Sequence, residues 1–233
     1  ENSRAYNFDG SNDGILLNNP NAFKLQNFTI SAWINPNINR GPIILNNPWL
    51  KSHGFVCALT ETGLRFTIAR GGTQSNFGGI YDTTKFEDQA LPLGQWSHVA
   101  FSYNGNKKNI YIDGKLKISD YSNLTITYDD SRVNLGYNHE SVPQNKREYF
   151  DGNLDDIRFY NRALSSSEVR MLAAQEPGIA TKEPSITQQP LDQTLELGES
   201  AEFKVAVNGI GPFDYQWYKN GKQIKGATDT VLR

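Results

Sequence analysis

Apolar and polar residues alternate along much of this chain with the period of a strand, not of a helix. Tyr6 and Phe8 alternate before the turn-rich Asp9-Gly10-Ser11-Asn12-Asp13-Gly14, and Ile15-Leu16-Leu17 follows. Phe28-Thr29-Ile30-Ser31-Ala32-Trp33-Ile34 is the clearest strand, stopped by Asn35-Pro36. Further strands are predicted over Gly54–Leu59, Gly63–Ala69, Trp96–Tyr103, Lys108–Ile112, Lys115–Asp120, Arg132–Gly136 and Gly152–Tyr160. Trp33 and Trp96 fall inside these patterns and are expected in the core. Asn104-Gly105 and Asp113-Gly114 mark two hairpins, since both dipeptides suit the paired positive φ angles of a type I′ turn. One helix is predicted after Ser165: Ser165-x-x-Glu168 is a capping box, Val169, Leu172 and Ala173 follow at helical spacing, and Pro177-Gly178 ends the run.

The pattern changes after residue 175. Residues 176–184 read as a linker, with two prolines, a glycine and small polar residues. Beyond it, Ala201, Phe203, Val205 and Val207 alternate strictly, and Tyr215-Gln216-Trp217-Tyr218 precedes an Asn220-Gly221 turn. The chain is therefore expected to be all-β, with a large domain over residues 1–175 and a smaller one over 185–233.

Composition narrows the function classes. The chain has 233 residues and a formal net charge of −2, so nothing points to nucleic acid. No stretch reaches the roughly 18 apolar residues of a membrane helix, so membrane insertion is not expected. The chain opens Glu1-Asn2-Ser3-Arg4, which has no apolar signal-peptide core, so a secreted protein would be present as its mature part. The single cysteine, Cys57, excludes an internal disulfide framework; it lies in an apolar run and is expected to be buried. A β-rich extracellular chain without disulfides points to a bacterial source.

Five segments, taken in order, resemble the laminin-G-like, concanavalin-A-like jelly-roll family. They are Tyr6–Gly10 with Asp13, Phe28–Ile34, Gly94–Ala100, Ile110–Lys115, and Phe150–Ser165 with its Leu154-Asp155-Asp156-Ile157 core. The resemblance implies a two-sheet antiparallel jelly-roll sandwich with one short C-terminal helix. The region after the linker resembles a bacterial immunoglobulin-like domain, with Trp217 as its buried tryptophan. Such a domain needs ~100 residues, so residues 185–233 are expected to form the first half of an immunoglobulin-like sandwich, unstable alone or completed by further chain.

Candidate chemistry falls in three groups. Asp9 and Asp13 place carboxylates in a tight turn that would suit a hard cation. An EF-hand is excluded, because Pro20 stands where its final glutamate should be. In related jelly rolls an aspartate of the last strand meets the first turns at a structural calcium, which implies Asp155 or Asp156 as its partner. The alternative is that Asp9 and Asp13 make Asx turns and that Asp155 or Asp156 pairs with Arg158 or Arg162. For carbohydrate, exposed rings and polar groups in loops are the candidates: Trp49, Arg70, Tyr81, and Tyr137-Asn138-His139. The stretches Gly71–Pro92 and Tyr137–Tyr149 are expected to be the largest irregular segments. Catalysis is not expected. The Glu-x-Asp-x-x-Glu strand of glycosidases with this fold is absent, and His53, His98 and His139 are scattered. The expected role is thus a non-catalytic extracellular module, secreted or attached to a cell surface, that binds carbohydrate with a structural calcium. The alternatives are an adhesion spacer whose partner is a protein, contacted through the immunoglobulin-like region, and an accessory part of a glycoside hydrolase.

Overall fold

The computed structural model describes residues 5–46, 53–71, 80–138, 148–175, 185–196, 198–208 and 213–233. The chain divides into two compact units, Asn2–Ile179 and Ala180–Arg233. Strands of the first unit are β1 (Tyr6–Asp9), β2 (Ile15–Leu17), β3 (Phe28–Pro36), β4 (Gly41–Asn46), β5 (Gly54–Thr60) and β6 (Gly63–Arg70). They continue with β7 (Ile80–Phe86), β8 (Ser97–Tyr103), β9 (Lys107–Ile112), β10 (Lys115–Tyr121), β11 (Val133–Leu135) and β12 (Asp151–Tyr160). One six-stranded sheet runs β1-β12-β3-β8-β9-β10 and the other β2-β11-β4-β5-β6-β7. Every pairing is antiparallel. This is the expected jelly-roll sandwich.

Alternation fills the space between the sheets. Phe28, Ile30, Ala32 and Ile34 of β3 meet Phe55, Cys57 and Leu59 of β5 and Leu64, Phe66 and Ile68 of β6 in one buried cluster. The Phe28 ring lies 5.2 Å from Phe55 and 6.0 Å from Phe66, and Phe66 lies 5.7 Å from Phe101. Cys57 is buried among them, and burial pushes its thiol up well above its ordinary pKa. Among the described residues the inner face also holds an ion pair. Lys108 of β9 is fully buried and reaches across to Asp82 of β7 at 2.5 Å.

The outer face of the first sheet is covered where the chain returns after β12. The helix α1 (Ser166–Ala173) packs Val169 and Leu172, with Leu164, on Ala100 and Tyr111. Its capping box forms as predicted: Ser165 accepts from the Glu168 backbone, and the Glu168 carboxylate accepts from the Ser165 backbone at 2.7 Å. Thr29 ties the approach segment to β3, donating to the Arg162 carbonyl at 3.0 Å and accepting from the Leu164 backbone at 2.8 Å. The helix rests on the β9–β10 turn, where a Cβ on Gly114 would stand 2.9 Å from the Arg170 Cα.

Four expectations need correction. Trp33 and Trp96 are only partly buried and lie outside the core cluster. Trp33 points away from the core because its neighbours Ala32 and Ile34 point into it, and its ring meets His98 edge-on at 5.5 Å. Of the two hairpin turns, Asp113-Gly114 has the paired positive φ angles of 49° and 71°. Asn104-Gly105 does not: only Gly105 is positive, and the Asn104 side chain instead accepts from the Lys107 backbone at 2.8 Å, giving a longer Asx-type loop. The stretch Gly71–Pro92 is not wholly irregular, since β7 pairs with β6 over its full length. β4 likewise lies where no strand is predicted.

In the second unit, Ser185–Gln188 pairs with Ala206–Asn208, and Phe203–Lys204 with Val231–Leu232. Tyr218–Lys219 and Lys222–Gln223 form a hairpin on Asn220-Gly221, both at positive φ. None of the described residues from 185 to 233 is buried. Trp217 is only half-buried, its Nε1 donating to the Asp229 carbonyl at 2.8 Å.

Two measurements check this architecture. Ser165→Ala removes the helix cap and should lower stability by about 1 kcal/mol in denaturant unfolding. His98 is held neutral in the fold: burial, and then the Arg158 charge, bring its pKa from 6.5 down to about 4. Between those values the unfolded chain binds a proton that the folded chain does not, so stability should fall as pH drops from 6.5 toward 4. His98→Gln should flatten that slope; an unchanged slope would place the titration elsewhere.

Candidate functional site

The outer face of the second sheet carries the site. Residues that point away from the core line up in rows across its strands. Leu45, Val56, Thr67 and Thr83 are successive cross-strand partners on β4, β5, β6 and β7. Pro42, Ala58, Arg65 and Lys85 form the next row, and Ala69 faces Tyr81 on the other side. These rows form the floor of an open cavity of about 290 Å³, lined by Pro42, Leu45, Val56, Arg65, Thr67, Tyr81, Thr83, Asn138 and Glu148.

Floor and walls differ in chemistry. Leu45 and Val56 make an apolar patch, and Thr67 and Thr83 join hydroxyls at 3.0 Å beside it. Tyr81 stands half-exposed on the edge strand β7. Opposite the floor, Asn138 and Glu148 lock together. The Asn138 Oδ1 accepts from the Glu148 backbone at 2.7 Å, the Asn138 backbone donates to the Glu148 carbonyl at 3.2 Å, and Nδ2 donates to Oε2 at 3.3 Å. The lock is continued by Tyr137 and Tyr149, whose rings stack at 6.5 Å. Tyr137 lies on Gly14, where a Cβ would meet its ring at 2.0 Å, so only glycine fits there.

Of the expected carbohydrate-site residues, the structure brings Tyr81 and Asn138 to this cavity. Arg70 lies elsewhere: it continues the core-facing parity of Leu64, Phe66 and Ile68 to the exposed end of β6. Tyr137 supports the wall from behind. Trp49 and His139 lie outside the described residues. The floor residues Arg65, Thr67 and Thr83 are additions that a search confined to loops overlooks. Their signal is present in Leu64-Arg65-Phe66-Thr67-Ile68, where polar residues alternate with core residues.

The four aspartates expected at a calcium ion stand in two places. Asp9 accepts from the Ser11 backbone at 2.8 Å and the Asn12 backbone at 3.3 Å, and Asp13 accepts from the Asp9 backbone at 2.9 Å. The Ser11 and Asn12 contacts hold the Asp9 carboxyl below its usual pKa. Asp9 faces Asp151 across the β1–β12 pair, whereas Asp155 is four residues further along β12. At ~3.3 Å per residue that is about 13 Å. Asp156 sits in the β-bulge of β12 at φ 46° and pairs with Arg158 at 2.7 Å. Asp155 is buried, accepting from the Asp156 backbone through Oδ1. Among the described residues no group of three or more His, Cys, Asp or Glu side chains is placed to hold a metal ion. These residues do not fit one shared calcium. Nor do Asp155 and His98 form an acid–base pair: both are cross-strand partners of Trp33, on opposite sides of β3.

Comparison with known proteins agrees with this architecture. No curated protein matches the chain. Among solved structures, a CBM40 of the Ruminococcus gnavus IT-sialidase is 13% identical, covering 72% of this chain and 96% of its own, with a TM-score of 0.57. Domain 4 of AbnA, an extracellular arabinanase from Geobacillus stearothermophilus solved in complex with arabinotriose, is 22% identical over 69% of this chain and 72% of its own, with a TM-score of 0.52. A putative carbohydrate binding protein from Bacteroides ovatus is 19% identical over 90% of this chain and 58% of its own, also at 0.52. The immunoglobulin I-set model matches residues 184–232. With the family model matching residues 9–170, the chain belongs to the concanavalin A-like lectin/glucanases superfamily, followed by part of an immunoglobulin I-set domain.

Proposed function

We propose that the first unit is a non-catalytic carbohydrate-binding module of an extracellular protein, and that the cavity on its second sheet is the binding site. The observation that carries this reading is the cavity's mixed lining. A sugar ring has an apolar face and an equatorial rim of hydroxyls. Tyr81 with the Leu45–Val56 patch suits the face, and the Thr67, Thr83 and Asn138 groups suit the rim. The volume of about 290 Å³ is at the small end of ligand pockets, so the site takes a short unit of a glycan and leaves the rest in solvent. The ligands named for similar structures, arabinotriose for one and carbohydrate for another, support the same reading. The second unit would then link the module to neighbouring chain or to a protein partner.

A glycan array probed with the whole chain should show binding to one glycan class; silence across classes would leave the domain as a spacer and overturn the reading. Tyr81→Ala should weaken the bound glycan by about tenfold, which is ~1.4 kcal/mol. Tyr121→Ala, an exposed ring on the far sheet, should have no effect.

Asp9 and Asp13 do not meet Asp155 or Asp156, so no calcium is assigned to those four residues together, and a chelator tests whether an ion contributes. A melting midpoint that falls with chelator and rises with added calcium would show that an ion binds the folded state; an unchanged midpoint and affinity would remove calcium from the reading.

A further inference from the structure

Arg65 is the anomaly of the cavity. It lines the floor from β6, yet its Nε is buried and has no hydrogen-bond partner. Among the described residues it makes no ion pair. Nε itself is closed off from the cavity, so it is the two Nη groups, for which no partner stands among the described residues, that are left to meet a ligand. The carboxylate in the cavity makes no ion pair with Arg65: Glu148 Oε2 accepts from the Asn138 Nδ2 at 3.3 Å. The cross-strand neighbour of Arg65 is Lys85, a second cation on the same outer face. Lys85 meets Glu87 at 3.3 Å with both side chains about half exposed, a contact of little strength.

A guanidinium is a planar fork of donors that matches an oxyanion bidentately, and the match strengthens where water is excluded. We infer that the sugar taken by this cavity is acidic, its carboxylate or sulfate docking on Arg65 while its ring packs against Tyr81. The inference rests on the carbohydrate reading above and narrows it to anionic glycans. Lys85 would add attraction at longer range, weakened by salt.

The test uses the whole chain against a panel of sialylated, uronate and sulfated oligosaccharides, each beside its neutral counterpart (desialylated, carboxyl-reduced or desulfated). An acidic member should bind at least tenfold more tightly than its neutral partner, with an affinity that falls as salt is raised. The chemical class of that member separates carboxylate from sulfate. Arg65→Gln should remove the preference, and Arg65→Lys should restore part of it, since a point charge replaces the fork. Tyr81→Ala should weaken acidic and neutral partners alike. Melting curves for each variant confirm that the fold is kept. Equal binding of acidic and neutral partners, or an Arg65→Gln variant that keeps the preference, would overturn the inference and leave the carbohydrate reading standing. No binding by any member would overturn the inference, and the carbohydrate reading falls with it only if the glycan array is silent as well.

Discussion

Successive side chains of a strand point to opposite faces, and this constraint decides both the stability of the sandwich and the place of its site. Once Phe28, Phe55, Phe66 and Phe101 are committed to the space between the sheets, the residues between them must face outward. On the first sheet the outward residues Ala100 and Tyr111 are apolar, and they are covered by α1. On the second sheet the outward residues include the polar Arg65, Thr67, Tyr81 and Thr83 beside the apolar Leu45 and Val56, a mixed set suited to hold a ligand. One geometric rule therefore closes one outer face and leaves the other for chemistry. A one-residue slip in β6 would exchange Phe66 for Arg65 or Thr67 in the core, so the register that keeps the fold together is also the register that builds the floor.

The edge where β7 and β10 end their sheets shows what the core tolerates. Lys108 is fully buried, and its ammonium would be costly there without Asp82. The pair joins β9 of one sheet to β7 of the other, so it fixes how the edge strand sits. Tyr81 is the residue before Asp82. The ion pair that faces inward thus helps to hold the aromatic ring that faces outward, at the rim of the cavity.

Much of this was legible in the sequence where local chemistry and global fold agree. The strands from Phe28, Gly54, Gly63 and Lys108 alternate cleanly, and the Ser165–Glu168 cap and the Asp113-Gly114 turn are local devices that need no tertiary context. The missed strands fail for physical reasons. β4 holds Ile43 and Ile44 both inward across a register shift, so its alternation is broken. β7 is an edge strand whose inward positions include Asp82 and Thr84, and a charge facing the core reads as a loop until its partner Lys108 is known. The Asn104-Gly105 turn is misread because the asparagine side chain bonds to the backbone itself. Of the nine residues that line the cavity, loop chemistry points to Tyr81 and Asn138 alone, and Tyr81 stands on the edge strand β7, while Arg65 and Thr67 are legible as the outward members of a core strand.

The cavity also explains why a rigid sheet is a useful floor. The outer face of a sheet alone is too flat to enclose a ligand, so a depression needs a wall. Here the wall is Asn138 clasped to Glu148, carried on the bridge between Tyr137 and Tyr149 and steadied by the Tyr137 ring on Gly14. The floor is fixed by backbone ladders on both sides of β6, so the Arg65 stem enters the cavity from a position that binding need not rearrange. A ligand then loses little to ordering of the protein, and the free energy of its polar contacts is kept for recognition. Wall and floor come from separate parts of the chain, and the floor side chains face away from the core, so Arg65 can be exchanged without touching the packing between the sheets.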